Sequence, residues 1–142
     1  MNFLRYEWED FLKLDVREDQ KEIIPYQNEQ TAKGLEQSKY MYSVYAEDGR
    51  FIAVGGLKHI WDGRAEMFVI CSKSVTIRDF VDLTEFGLWL GEIEEYKRIE
   101  ATASADNKKN IAWLEKLGFE RECLMRKYGL KGEDNYLYVR IK

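Results

Sequence analysis

The chain is poor in the residues that build metal, disulfide and membrane chemistry. It has one histidine, one proline and two cysteines in 142 residues. A lone His59 removes the usual material for a His-based metal site or a Ser/Cys–His dyad. Cys71 and Cys123 cannot form a framework of several disulfides, and a reducing, cytoplasmic setting is the simpler expectation. No apolar run approaches membrane-spanning length, and the N-terminal stretch MNFLRYEWEDFLKLD is too charged for a secretion signal. Gly/Ser-rich linkers and low-complexity stretches are missing, so no domain boundary is expected. A basic excess is missing too. The formal net charge is −4, which gives no electrostatic reason to expect nucleic acid or an anionic membrane as a partner.

What remains describes one globular domain over 1–142. Hydrophobic residues make up 45% and aromatics 14%, enough for a real core without staples. Residues 2–7 read as a short first strand. Glu9 to Ile23 alternates charge with Phe11, Leu12, Leu14 and Val16 and reads as a helix that Pro25 ends. A weaker helix is expected over Glu29–Gln37. Tyr40–Glu47 and Arg50–Trp61 read as strands, and Ala65–Cys71 as a third. Asp48-Gly49 and Asp62-Gly63 between them favour the positive φ angles of two-residue hairpin turns, which predicts an antiparallel meander. Gly55-Gly56 inside the second strand marks a bulge or a close backbone approach, a bulge being the commoner reason.

From Ile77 to about Glu95 the spacing of Ile77, Phe80, Val81, Leu83, Phe86, Leu88, Leu90 and Ile93 predicts a long amphipathic helix. It joins Ala65–Cys71 to a strand over Arg98–Ser104 as a right-handed β–α–β crossover, so those two strands should run parallel. A helix over about Asn107–Leu117 should stop at Gly118, with Phe119 folding back on Leu114. Strands over Phe119–Tyr128 and Asn135–Ile141 complete a mixed α/β domain of order (β)αα-βββ-α-β-α-ββ.

Three groups of residues could carry chemistry. The turn Ser72–Arg78 feeds a helix N-terminus with unpaired N–H groups, with Ser72, Ser74 and Thr76 as donors and Lys73 and Arg78 as charges, a pattern that suits phosphate. The same residues read equally as an ordinary helix cap, Ser74 or Thr76 being the capping residue. Asn107 and Asn110 could donate to and accept from an amide-rich ligand, or Asn107 could cap its helix. Glu66 could relieve an incoming amine of a proton if it lined a cleft, whereas Glu92, Glu94 and Glu95 read as a solvated face. Tyr128, Tyr136 and Tyr138 lie in the terminal strands, where one could act as a general acid. Cys71 and Cys123, among apolar strand neighbours, read as inert core thiols.

The element order, together with the run NKKNIAWLEKLGFERE, resembles the GNAT superfamily of acyl-CoA-dependent N-acyltransferases. The resemblance spans nearly the whole chain in topology and is motif-specific over about residues 97–122. It implies a GNAT-like fold and acetyl-CoA lying between two splayed strands, here 65–71 and 98–104. Pantetheine would then bond the backbone near Val69, Ile70, Cys71 and Ser72, and pyrophosphate would rest on Ser74, Val75, Thr76 and Arg78, with Asn107 and Asn110 nearby. It further implies acetyl transfer to a primary amine, small-molecule or protein, the acyl group being polarised by a backbone N–H near Ile70. Glu66 or a water would be the base, with Tyr128 a candidate acid, and the acceptor would be lined by residues 20–40 and the 129–134 loop. Two departures stand out. The stretch SKSVTIRDFVDLTEF lacks the glycines of the family's Gln/Arg-x-x-Gly-x-Gly/Ala loop. The position one residue before Glu115, a tyrosine acid in many members, is Leu114. A looser resemblance, to small GNAT-like proteins of short-tailed phages in the internal virion protein A group, implies instead a non-catalytic assembly role with virion proteins as partners, in the host cytoplasm or the virion.

Overall fold

Asp-Gly turns and Gly-Gly approaches set the sheet. In the computed structural model, which describes residues 1–142, seven strands run in the order β1-β2-β3-β4-β5-β7-β6. They are β1 Asn2–Arg5, β2 Tyr40–Tyr45, β3 Phe51–Trp61, β4 Arg64–Cys71, β5 Arg98–Ser104, β6 Glu120–Met125 and β7 Asn135–Ile141. The helices are α1 Trp8–Lys13, α2 Glu29–Leu35, α3 Ile77–Gly91 and α4 Lys108–Lys116. The expected mixed α/β order holds, and β4–β5 is the one parallel pair in an otherwise antiparallel sheet.

The meander β2–β3–β4 forms as the Asp-Gly pairs require, although by a different turn. Gly49 and Gly63 take positive φ while Asp48 and Asp62 do not, so neither turn has both central residues left-handed. Gly55 and Gly56 are not a bulge. Both stay in register with β2 and β4, and a Cβ on Gly56 would lie 1.9 Å from the Tyr40 carbonyl oxygen. They are glycines because neighbouring backbone comes too close for a side chain.

The expected helix over Glu9–Ile23 divides. α1 stops at Lys13, where the Gln27 side chain donates to the Phe11 and Leu14 carbonyls at 2.8 and 2.9 Å and satisfies the helix end. Leu14 and Val16 then turn inward, both under 5% exposed. A 3-10 segment follows over Glu18–Tyr26, with Pro25 inside it and no buried residue. α3 ends at Gly91 rather than near Glu95, and β6 ends at Met125, which leaves Tyr128 in a loop. Past α4 the expected stop is present: Gly118 has φ +87°, its N–H donates to the Glu115 carbonyl, and that of Phe119 donates to Leu114.

The two faces of the sheet differ. α3 and α4 cover one, burying Leu57, Ala65, Ile99, Leu114, Leu117 and Tyr138 among others. On the other, α1 and α2 pack over Met41, Val54 and Ile70 with Phe11 and Leu35. Fully buried side chains of this size contribute about 1.5–3 kcal/mol each, so these two clusters fix where the strands lie. The second face is left uncovered beyond β4, over β5, β7 and β6.

Candidate active site

The parallel ladder has three rungs, Arg64↔Arg98, Ala65↔Ile99 and Glu66↔Glu100. Beyond them the strands part, because each is held on its other side: β4 by β3 as far as Cys71, and β5 by β7 as far as Ser104. The result is a fork with helix N-termini at its open end, α3 following β4 and α4 following β5. A fork of this kind exposes backbone donors and acceptors that an amide-bearing ligand could use as a third strand.

In this chain those groups already have partners. The Ser72 N–H donates to Ile52 on β3, so by strand alternation Ile70 also faces β3, and Val69 and Cys71 face the fork. The fork-facing N–H near Ile70 is therefore that of Cys71. It donates to Gln20 Oε1 at 2.8 Å, while Gln20 Nε2 donates to the Val69 carbonyl at 3.0 Å. The Arg17 N–H donates to the Cys71 carbonyl at 2.9 Å, and the Lys73 N–H to that of Asp15 at 2.8 Å. Residues 15–17 thus pair with the edge of β4 like a short strand, and Gln20, in the 3-10 segment that follows, adds its side chain to that edge.

The turn into α3 is a reciprocal cap. The Asp79 N–H donates to Thr76 Oγ1 at 3.2 Å and the Thr76 N–H to Asp79 Oδ2 at 2.8 Å. Asp79 is 5% exposed, and Arg50 Nη1 donates to it at 3.0 Å and to the Ser74 carbonyl at 2.7 Å. Burial pushes the Asp79 carboxyl up, but hydrogen bonds from Arg50 and Thr76 outweigh this and hold it below the usual carboxylate range. A carboxylate therefore sits on the turn where phosphate was expected. Ser72 Oγ accepts from the Ser74 N–H at 3.1 Å, and the Val75 N–H donates to Ser72. Arg78 is exposed.

Asn107 is the cap of α4, its Oδ1 accepting from the Asn110 N–H at 3.0 Å. Three turns of the two helices are tied together across the fork. Trp113 Nε1 donates to Thr84 Oγ1 at 2.9 Å, Phe80 packs edge-on against the Trp113 ring, and the Arg17 guanidinium lies 5.1 Å over Phe80. Leu114, where a tyrosine acid is usual in the family resembled, is 5% exposed and belongs to the core.

The opposite face of the fork carries the charged groups. Arg64 Nε and Nη2 donate to the two Glu100 oxygens at 2.6 and 3.0 Å, and Arg98 Nε donates to Glu100 at 3.2 Å. The Arg64 bonds, opposed by burial and helped by Arg98, hold Glu100 below the ordinary glutamate range. Its neighbour Glu66 has no such partner, and burial, with Glu100 adding to it, raises the Glu66 carboxyl. The Tyr128 phenol is raised by partial burial, with Glu66 and Glu100 adding to it, although the side chain is 55% exposed. An open cavity of about 700 Å³ is walled by Trp61, Met125, Tyr128 and Leu137 and edged by Asp62, Arg64, Lys97, Arg98 and Glu100; Glu66 stands next to Glu100 on the ladder but does not line it. Of the segments expected to line an acceptor, neither residues 20–40 nor the 129–134 loop borders it; Tyr128, just before that loop, does.

Other expected residues fall outside the site. Tyr138 is fully buried under α4, its hydroxyl accepting from Arg121 and donating to Glu115, and Tyr136 lies beneath the Arg121 guanidinium. The Cys71 thiol is buried and pushed up to about 12, as befits an inert thiol, whereas Cys123 is exposed on edge strand β6 rather than in the core. Sequence reasoning passed over Gln20, Arg50, Arg64, Asp79, Glu100 and Trp113. Only Asp79 carried a readable signal, the Thr-x-x-Asp spacing of a capping box.

No protein-family model and no curated protein sequence matches the chain. Solved structures do. Ard1 from Thermoplasma volcanium superposes with a TM-score of 0.77 at 14% identity, over 99% of this chain and 96% of the other. A chimera of spermidine N-acetyltransferase SpeG from Vibrio cholerae and hSSAT gives 0.75 at 16%, over 99% and 96%. A GNAT-family acetyltransferase from Bacillus anthracis gives 0.69 at 15%, over 98% and 93%. With its seven-stranded mixed sheet and a fork between its parallel strands, the chain has the GNAT acetyltransferase fold.

Proposed function

We propose that the chain is an acetyl-CoA-dependent N-acetyltransferase that acts on a primary amine, with Glu66 as the base. The observation that carries this is the last rung of the β4–β5 ladder. There a carboxylate with a raised pKa sits at the mouth of the fork, beside one that two arginines keep charged. Paired carboxylates with separated pKa values are the arrangement that acid–base work needs. Glu66 would take a proton from the acceptor ammonium. The freed amine would attack the thioester carbonyl, forming the C–N bond as the C–S bond breaks. Tyr128, whose raised pKa keeps its proton at neutral pH, would protonate the departing thiolate and recover a proton from the nitrogen of the new amide.

The cavity constrains the acceptor. Spermidine N-acetyltransferases are among the structural neighbours, but Asp62 and Glu100 at this cavity are met by Arg64, Lys97 and Arg98, which leaves no surplus of acid for a chain of several cations. Its walls of Trp61, Met125, Tyr128 and Leu137 suit a singly charged amine on an apolar or aromatic body.

A second reading has its own observations. Gln20 and Arg17 on the β4 edge, Asp79 on the α3 turn and Trp113 between the helices each stand where part of acetyl-CoA would lie. They favour a non-catalytic GNAT-fold protein, such as the phage assembly role that the looser resemblance implies. One experiment separates the two. The protein is incubated with acetyl-CoA and a panel of aryl-alkyl amines and polyamines, and products are read by mass spectrometry. Acetylated amine from the native protein, absent with Glu66→Gln, supports the enzyme. No product from any amine supports the second reading.

A further inference from the structure

The fork edge of β4 is closed by a piece of the same chain whose middle is weakly held. Its start is fixed: Val16 is 3% exposed and forms an antiparallel bridge with Ser72. Its end is fixed as well, by Gln27 on the α1 carbonyls. Between them the 3-10 segment Glu18–Tyr26 buries no side chain, and 3-10 geometry is itself poor in hydrogen-bond quality. Segments with few buried contacts are the ones that open locally. Ile23 packs part-buried on the cluster with Val54 and Ile70, and Gln20 makes the segment's hydrogen bonds to the sheet, one accepted from Cys71 and one donated to Val69. A side-chain amide offers one donor and one acceptor group, the same pair that a secondary amide in an extended ligand offers to a strand edge.

We propose that residues 15–20 form a self-capping strap, in which Gln20 occupies the amide-binding edge of β4 and must leave before the amide groups of a pantetheine-type ligand can bind there. The proposal rests on the reading of the fork as an acyl-CoA site. Ligand binding then includes the work of breaking two hydrogen bonds, and the apparent affinity is reduced by the fraction of molecules in which the strap is closed. The glycine-free turn at α3 does not enter this argument. The strap acts on the pantetheine portion alone.

The test is acetyl-CoA binding by isothermal titration calorimetry to four proteins: native, Gln20→Ala, Gln20→Met and, as a control, Lys21→Ala. Lys21 pairs only with Glu18 at the surface. Met keeps the length of the side chain without its amide, so it reports on the same contact where Ala weakens folding. The strap predicts that Gln20→Ala or Gln20→Met binds about tenfold tighter than the native protein, as two modest hydrogen bonds allow, and that Lys21→Ala does not. Equal affinity in the native protein and both Gln20 variants overturns the strap and leaves the acyl-CoA site standing. No binding by any of the four overturns both.

Discussion

Glu66 and Glu100 face each other across the last rung between β4 and β5, and their surroundings drive them in opposite directions. Glu100 is kept charged by Arg64 and Arg98, while Glu66 is partly buried without a hydrogen-bonding cation, and desolvation with Glu100 outweighs the pull of Lys58 and Arg64, so it holds its proton longer. The pair gives the fork a group that can accept a proton and a neighbour that cannot. Replacing Glu66 by Gln should lower kcat by about a hundredfold or more, the usual range for a general base. Since burial disfavours the charged form, the same change should raise stability at neutral pH by on the order of 1 kcal/mol. Steady-state rates and thermal melts of Glu66→Gln check both. A lost rate with an unchanged or lowered melting temperature would contradict the assignment of burial as the cause.

The pair also sets a pH dependence of stability. Glu100 has a depressed folded pKa, so its contribution is present above the unfolded value near 4.5 and is lost as pH falls through the lower folded value. Glu66 has a raised folded pKa, so its contribution is present below 4.5 and is lost as pH rises through the higher folded value. Melting temperatures should therefore fall on both sides of this region. Arg64→Met should remove much of the acid-side loss and cost about 1–3 kcal/mol at pH 7, because it leaves a buried carboxylate with one partner fewer. Glu66→Gln should flatten the other side. Melts of the three proteins between pH 3 and pH 7 check the signs.

Asp79 joins cap and charge in one side chain. Asp79→Ala removes a capping box and a partner of Arg50, and should destabilise the fold by about 1–2 kcal/mol. It also removes the negative charge from the N-terminal turn of α3 and leaves Arg50 with Asp48 as its one acidic partner, so acetyl-CoA should bind more tightly to the less stable protein. Denaturant melts and calorimetry on the same preparation measure the two effects. Loss of stability with no change in affinity would mean that this turn does not hold the phosphates.

How much of this was readable in the sequence depends on how local each signal is. The Asp-Gly pairs, the apolar stripe of α3 and the Gly118-Phe119 stop act over a few residues, and the meander, the crossover and the end of α4 appear as expected. Gly55-Gly56 marked a special backbone site, but one glycine pair cannot tell a bulge from the approach of Tyr40. The helix read over Glu9–Ile23 failed because Leu14 and Val16 satisfy a helical spacing equally well when they turn into the core. Gln20 meets Val69 and Cys71 across 49 and 51 residues of sequence, and nothing in the residues around it announces that contact. Glu66 was a candidate in the sequence, but its raised pKa comes first from desolvation in the folded sheet and then from Glu100 beside it. That is information held by the β4–β5 register.

The central claim is that this fork takes acetyl-CoA. The most direct measurement is a thermal melt of the native protein against increasing acetyl-CoA. At about 100 times the dissociation constant, the ligand should add about 2.7 kcal/mol of stability. For a domain of this size that is a rise on the order of 8 °C. A saturating rise of this kind, larger at any given ligand concentration in Gln20→Met, is the predicted result. A melting temperature that stays fixed in both proteins up to millimolar acetyl-CoA would contradict the account.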